Sequence, residues 1–243
     1  MPDETPESTD LTQAGLAFFG AVTASVTHEL NNVISIIDQT IGLLDDALAV
    51  AEEGMPVRPE TLARVSQGIK RQTVRGVEQI KRLNAFAHSA DHLRCEVDIN
   101  ALMSNLAGLY QRLAGLRKLS LEFVPSPEPL LITTNPFTAQ QLVFLCLSEA
   151  CDQAEKGGQI KVTCSKNLAG GEINVEIAPV KLVLKKHKEL SERLAMAFNE
   201  TLGVQESDSG LTVTIQHQHQ HHHQHQHFKH SRGSHEYASF ISR

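Results

Sequence analysis

The chain has 243 residues, of which 41% are hydrophobic and 21% charged, a composition typical of a soluble protein with one or two cores. Nine of its 13 histidines fall between His217 and His235, and without residues 217–243 the formal net charge is −8, from 19 basic and 27 acidic residues. This acidic balance excludes general nucleic-acid binding, which needs a basic face, and no apolar run approaches the roughly 18–20 residues that span a bilayer.

The first ten residues are polar and acidic, without apolar periodicity, which predicts a disordered lead over residues 1–10. They are unlike a secretory signal, so we expect a cytoplasmic protein. The cysteines form no C-x-x-C pair, which predicts reduced, buried thiols and no metal site; they are Cys95, Cys146, Cys151 and Cys164.

Two long amphipathic helices are predicted next, over residues 11–94. Apolar residues recur at steps of three and four without an internal proline; they are Phe19, Val22, Val26, Leu30, Val33, Ile37, Ile41, Leu44 and Leu48. After Gly54, Pro56 and Pro59 a second such series follows, made of Leu62, Val65, Ile69, Thr73, Gly76, Ile80, Leu83 and Ala87. Together they predict an antiparallel helical hairpin.

A single hairpin leaves half of each apolar stripe in water, which favours a homodimeric four-helix bundle. The charges suit a pairing of unlike helices. Residues 1–57 contain ten acidic residues and no basic one, whereas residues 58–94 contain eight basic and three acidic ones. Two solvated faces without a role in pairing remain the alternative, because an exposed ion pair contributes only about 0–1 kcal/mol.

Mixed periodicity over residues 95–216 predicts an α/β sandwich, with helices on one face of a mixed sheet. Helices are expected over 99–113, 136–155 and 185–199, and strands over 119–124, 130–133, 159–165, 172–178 and 211–215. The fold class is therefore α+β. Residues 217–243 form a low-complexity His/Gln-rich tail.

The segment around His28 is the strongest candidate for chemistry. His28 is two residues from both Val26 and Leu30, which places it about 200° from the apolar stripe and therefore towards solvent. Glu29 is adjacent, and Asn32 lies one helical turn further on the same face as His28. A neutral imidazole with a carboxylate and an amide beside it can take or give a phosphoryl group, although a lone surface histidine is usually inert.

Residues 18–32 (FFGAVTASVTHELNN) resemble the phosphoacceptor region of the dimerisation and histidine phosphotransfer domain of bacterial sensor histidine kinases. Residues 82–87 resemble the end of that domain's second helix, and residues 135–142 and 210–215 resemble parts of the kinase ATPase domain. The resemblance implies that His28 is the phosphorylated histidine, that Glu29 assists as acid/base, and that Asn32 orients water in dephosphorylation of a regulator.

The nucleotide side departs from that family. Glu149 stands where the family has the asparagine that holds magnesium, and Pro179 stands near its adenine-binding aspartate. No glycine occurs between Gly171 and Gly203, so the glycine-rich ATP lid is missing. We therefore expect no ATP binding and no cofactor of the chain's own, with any Mg²⁺ held by a partner receiver domain.

These features resemble histidine phosphotransferases that evolved from kinases. They predict a homodimeric phosphorelay protein that exchanges a phosphoryl group between His28 and an aspartate of a response-regulator receiver domain. Two alternatives stay open. One is a divergent, active histidine kinase or phosphatase that uses ATP, and the other is a non-catalytic pseudokinase dimer that only binds regulators.

Overall fold

Two long helices form a hairpin that packs onto an α/β sandwich in the computed structural model, which describes residues 6–167, 172–178, 188–197, 202–207 and 210–215. Helix α1 is Pro6–Glu52 and helix α2 is Pro59–His88. Between them Gly54 adopts a positive φ of 92°, and its N–H donates to the carbonyl of Ala51. A glycine at this position ends one helix, and Pro59 begins the next because proline fixes φ near the helical value.

Helix α1 begins at Pro6, within the stretch for which the sequence predicts a disordered lead. Proline is favoured in the first helical turn, which agrees with a helix that starts at Pro6. Residues 6–10 are therefore helical where the sequence predicts disorder, and residues 1–5 lie outside the described residues, as does the His/Gln-rich tail.

The sandwich confirms the predicted α+β class. Its helices are α3 (Ile99–Leu116), α4 (Pro136–Gln153) and α5 (Lys188–Ala197). Its strands are β1 (Cys95–Asp98), β2 (Ser120–Val124), β3 (Leu131–Thr134), β4 (Gln159–Asn167), β5 (Glu172–Ala178), β6 (Leu202–Ser207) and β7 (Gly210–Ile215). Strands β1 and β6 are absent from the sequence prediction. Of the helix predicted over 185–199, the structure describes the part that forms α5, and the remaining residues lie outside the described residues.

The described strands form two sheets. The larger has the order β2-β4-β5-β7-β6, in which β2 pairs parallel to β4 and the other neighbours pair antiparallel. The smaller is the antiparallel pair of β1 and β3, with Cys95 opposite Thr134. Buried residues alternate along β4 at Ile160, Val162 and Cys164, so one face of the larger sheet carries the core.

An aromatic cluster joins the hairpin to the sandwich. The ring centroid of Phe18 in α1 lies 5.1 Å from that of Phe86 in α2, 5.2 Å from that of Phe137 and 4.9 Å from that of Phe144, both in α4. Phe19 stacks on Phe86 at 5.4 Å but remains 36% exposed. The buried stripe of α1 therefore begins at Phe18, one residue before the predicted position, because the sandwich covers that side of the helix.

A second connection is polar. Arg82 of α2 donates to the carbonyl of Ser104 in α3 at 3.0 Å, and Asn105 donates back to the carbonyl of Arg82 at 3.1 Å. Gly108 lies directly beneath the Arg82 guanidinium, and a Cβ atom there would collide with it. The hairpin is thus attached to the sandwich by both apolar and hydrogen-bonded contacts. No helix among the described residues is long and apolar enough to cross a membrane.

Candidate functional site

His28 lies near the middle of α1 with its imidazole exposed, as the helical spacing predicts. Asn32, one turn further along the helix, is also exposed, so the two side chains share a face that is open to a partner. Among the described residues, none forms a hydrogen bond or an ion pair with the His28 ring. The imidazole nitrogens therefore face solvent.

A shallow depression of about 440 Å³ surrounds His28. It is lined along one face of α1 by Phe19, Gly20, Thr23, Ala24, Thr27, His28 and Asn31. The small residues Gly20 and Ala24 keep the helix surface low here, and nothing lies within 4 Å of the position that a Cβ atom would take at Gly20. A partner can thus approach the helix backbone closely beside the imidazole.

Glu29 is placed differently from what its position in the sequence suggests. Its side chain is only 11% exposed, and it forms an ion pair with Arg75 of α2. Glu29 comes three residues after Val26 and four before Val33, both buried, so helical spacing puts it on the apolar stripe rather than beside His28. The structure therefore brings His28 and Asn32 together on one face and turns Glu29 towards the second helix.

Arg75 is a site residue that the sequence prediction missed. The excess of basic residues in residues 58–94 is the signal that could have indicated it, but one arginine among eight basic residues cannot be singled out without the register of the hairpin. Gly76, the residue after Arg75, helps to set the register of the two helices, because a Cβ atom at this position would lie only 3.3 Å from Val33 Cγ1. The close approach of the two helices lets Arg75 span them.

The nucleotide-site position Glu149 lies inside the sandwich. It is 3% exposed on α4, and its Oε1 accepts a hydrogen bond of 2.9 Å from Gln153 one turn away. Burial, and to a smaller extent the charge of Glu149, raise the pKa of the neighbouring Cys146 thiol to about 12. The Glu149 carboxylate is thus engaged within its own helix, and Pro179 lies outside the described residues.

A comparison with protein-family models found no match, and neither did one with curated proteins. Solved structures do match. Histidine kinase AdeS of Acinetobacter baumannii is 12% identical, with 78% of this chain and 97% of that chain covered and a TM-score of 0.40. A bacterial phosphotransferase is 11% identical, with 82% and 96% covered and a TM-score of 0.43.

Histidine kinase ThkA, in complex with response regulator protein TrrA, is 17% identical, with 88% of this chain and 66% of that chain covered and a TM-score of 0.39. Two of these three structures are named as histidine kinases. All three TM-scores are below 0.5, so the similarity is limited to a distant likeness of fold.

Proposed function

We propose that this protein is a phosphorelay protein that exchanges a phosphoryl group between His28 and an aspartate of a response-regulator receiver domain, without using ATP. The observation that carries the proposal is the exposed imidazole of His28 on a depression that a second protein can enter. A group that must reach an aspartate on another protein has to be accessible in this way.

In the transfer, the lone pair of a neutral His28 ring nitrogen attacks the phosphorus of the aspartyl phosphate. An N–P bond forms, the P–O bond to the aspartate breaks, and the aspartate leaves as a carboxylate. The ring then carries a positive charge until its other N–H gives up a proton, for which Glu29 is the nearest acid/base in the sequence. The reverse sequence returns the phosphoryl group, and any Mg²⁺ is supplied by the receiver domain.

Asn32 is proposed to act in a different reaction of the same site. Its exposed amide, one turn from His28, can orient a water molecule towards a phosphoryl group that the receiver presents. Substitution of Asn32 by alanine should then slow dephosphorylation of the receiver while leaving transfer to His28 intact.

We further propose that the working unit is a homodimer. At the end of the hairpin far from the sandwich, a groove of about 580 Å³ between α1 and α2 is lined by Leu44, Leu62, Val65, Ile69 and Val74 among others. Val74 of this groove is 63% exposed, and so is Ile34 of α1. Contiguous exposed apolar residues mark interaction surfaces, and a second copy offers an apolar stripe of the same length together with an acidic and a basic helix.

The proposed function is tested by transfer of radiolabelled phosphate from receiver domains that have been phosphorylated with a small phosphodonor. We expect acid-labile label on the protein, none on a His28→Ala variant, and full label on the control His88→Ala, which removes another exposed histidine of the hairpin. If no receiver domain transfers label, or if the label survives His28→Ala, the proposal is wrong.

The same experiment separates the alternatives. Receiver binding that survives His28→Ala and Glu29→Ala together, with no transfer by the unsubstituted protein, would identify a binding protein without catalysis. A thermal shift with Mg-ATP that disappears in Glu149→Ala would instead indicate a kinase. We expect no such shift, because the Glu149 carboxylate is buried and hydrogen-bonded to Gln153.

A further inference from the structure

The ion pair between Glu29 and Arg75 links the two helices of the hairpin immediately beside the candidate site. The Glu29 side chain is 11% exposed and that of Arg75 is 51% exposed. A carboxylate this far out of water is costly unless it is paired, and the guanidinium supplies that pairing. The pair therefore stabilises one particular position of the Glu29 carboxylate.

That position is turned away from His28. Successive residues of an α-helix point about 100° apart, so adjacent side chains do not face each other. Here His28 points to solvent, while Glu29 reaches across to α2. The absence of a side chain at Gly76 allows α2 to approach Val33 of α1 closely at this level. For Glu29 to accept a proton from the His28 ring, its carboxylate has to leave Arg75 by rotation of its side chain.

We propose that Arg75 is a positioning residue that withholds Glu29 from His28, so that opening of this ion pair limits phosphoryl transfer. The inference rests on the proposed function. While the pair is closed, the proton released by the His28 ring as the N–P bond forms has no nearby carboxylate to receive it. When the pair is open, the negative charge of Glu29 stabilises the ring cation as the N–P bond forms, and Glu29 then takes the proton, which leaves a neutral phosphorylated ring. No further reactant is required.

The expected consequence is that weakening the pair accelerates the chemical step. Because Arg75 would act on the Glu29 carboxylate and not on the receiver domain, the effect would appear in the saturating rate of transfer and not in the half-saturating receiver concentration.

The test measures single-turnover transfer over a range of receiver concentrations, in the full chain. Arg75→Gln should raise the saturating rate constant about two- to fivefold, the range expected for loss of a partly exposed ion pair. Arg71→Gln, which removes another exposed arginine one turn earlier on α2, should change it little. Arg75→Lys, which keeps the charge but not the planar guanidinium, should give a smaller increase than Arg75→Gln.

The decisive comparison uses Glu29→Gln as the background. There Arg75→Gln should have no further effect on the saturating rate, because the group that Arg75 withholds is gone. If Arg75→Gln behaves like Arg71→Gln, or slows transfer to the rate of Glu29→Gln, the inference is wrong although the proposed function stands. If Arg75→Gln does not fold, Arg75→Lys tested in the same two backgrounds decides the question.

A lack of transfer by the unsubstituted protein would instead refute the proposed function itself. The measurement on the unsubstituted protein therefore distinguishes a failure of the inference from a failure of the proposed function. An unchanged half-saturating receiver concentration in Arg75→Gln, together with a changed saturating rate, would further place the effect on chemistry rather than on binding.

Discussion

The two ends of the helical hairpin bury their apolar residues in different ways. At the end next to the sandwich, Phe18, Val22, Val26 and Phe86 are almost completely buried by helices of the same chain. Over the far half of the hairpin, which runs from Ile34 to the turn and back to Val74, most apolar residues remain exposed, including Ile41, Leu43, Leu48 and Leu62. The same amphipathic pattern thus gives a buried core at one end of the hairpin and an exposed apolar surface at the other.

The difference shows that periodicity determines which face of a helix is apolar but not what covers it. Near the sandwich, α3 and α4 supply the cover within the chain. At the far end no described element lies over the stripe, which is why we propose a second copy there.

The largest effect is expected from Phe86→Ala. Phe86 is fully buried and contacts Phe18, Phe19 and Phe137 through its ring, so truncation leaves a cavity and should lower the free energy of unfolding by about 3–5 kcal/mol. Urea denaturation measures the change. Phe19→Ala is the control, since this ring in the same cluster is 36% exposed and should cost far less. An equal loss of unfolding free energy in the two variants would contradict a fully buried core at this end of the hairpin.

At the far end the large effect should fall on association instead of folding. A charge at Ile34 or Val74, introduced as Ile34→Glu or Val74→Glu, should weaken dimerisation at least about tenfold, equivalent to about 1.4 kcal/mol, while leaving the circular dichroism of the hairpin intact. Sedimentation velocity measures the dissociation constant. Leu93→Glu changes an 84% exposed leucine outside both helices and should have no effect. A monomeric unsubstituted protein would refute the homodimer.

A pH dependence separates the sandwich from the hairpin, because every cysteine of the chain lies in residues 95–164. Burial is the main cause that raises the pKa of Cys146 and of Cys164 from 9.0 to about 12. Above pH 9 the unfolded chain loses these protons while the folded sandwich keeps them, so the stability is present below pH 9 and is lost as the pH rises towards 12. Each thiol should contribute a decrease of about 1.4 kcal/mol per pH unit.

Urea denaturation at pH 8 to 10.5 measures this slope. Cys146→Ala should be less stable at pH 8, since it leaves a small cavity, but its stability should fall less steeply with pH because one titrating thiol is missing. A slope that is the same in Cys146→Ala and in the unsubstituted protein would show that this thiol is not protected from ionisation by the fold.

The sequence predicts most of the fold because the long elements carry strong periodic signals. It misses β1, in which apolar and polar residues alternate over only four positions, and β6, in which only Leu202 and Val204 are apolar, because short strands of this kind are defined by their partners. The exposure of His28 follows from helical spacing alone. The pairing of Glu29 with Arg75 does not, since it depends on the register of two helices whose paired residues are 46 positions apart.

The smallest effect tests the polar connection at the sandwich end, with two glycines of the same helix. At Gly115 of α3 nothing lies within 4 Å of a Cβ atom, so Gly115→Ala should stabilise the protein by about 0.5 kcal/mol through helix propensity. At Gly108 the new methyl group would displace the Arg82 guanidinium and break its hydrogen bond to the Ser104 carbonyl, worth about 1 kcal/mol. Gly108→Ala should therefore be less stable than Gly115→Ala by about that amount.

In an Arg82→Ala background the two substitutions should become equivalent, because the side chain that the methyl group displaces is then absent. A difference that persists in this background would mean that Gly108 is required by the packing of α3 itself. A difference that vanishes would assign the cost to the contact between α2 and α3, and would establish that hydrogen bonding as well as aromatic packing attaches the hairpin to the sandwich at this end.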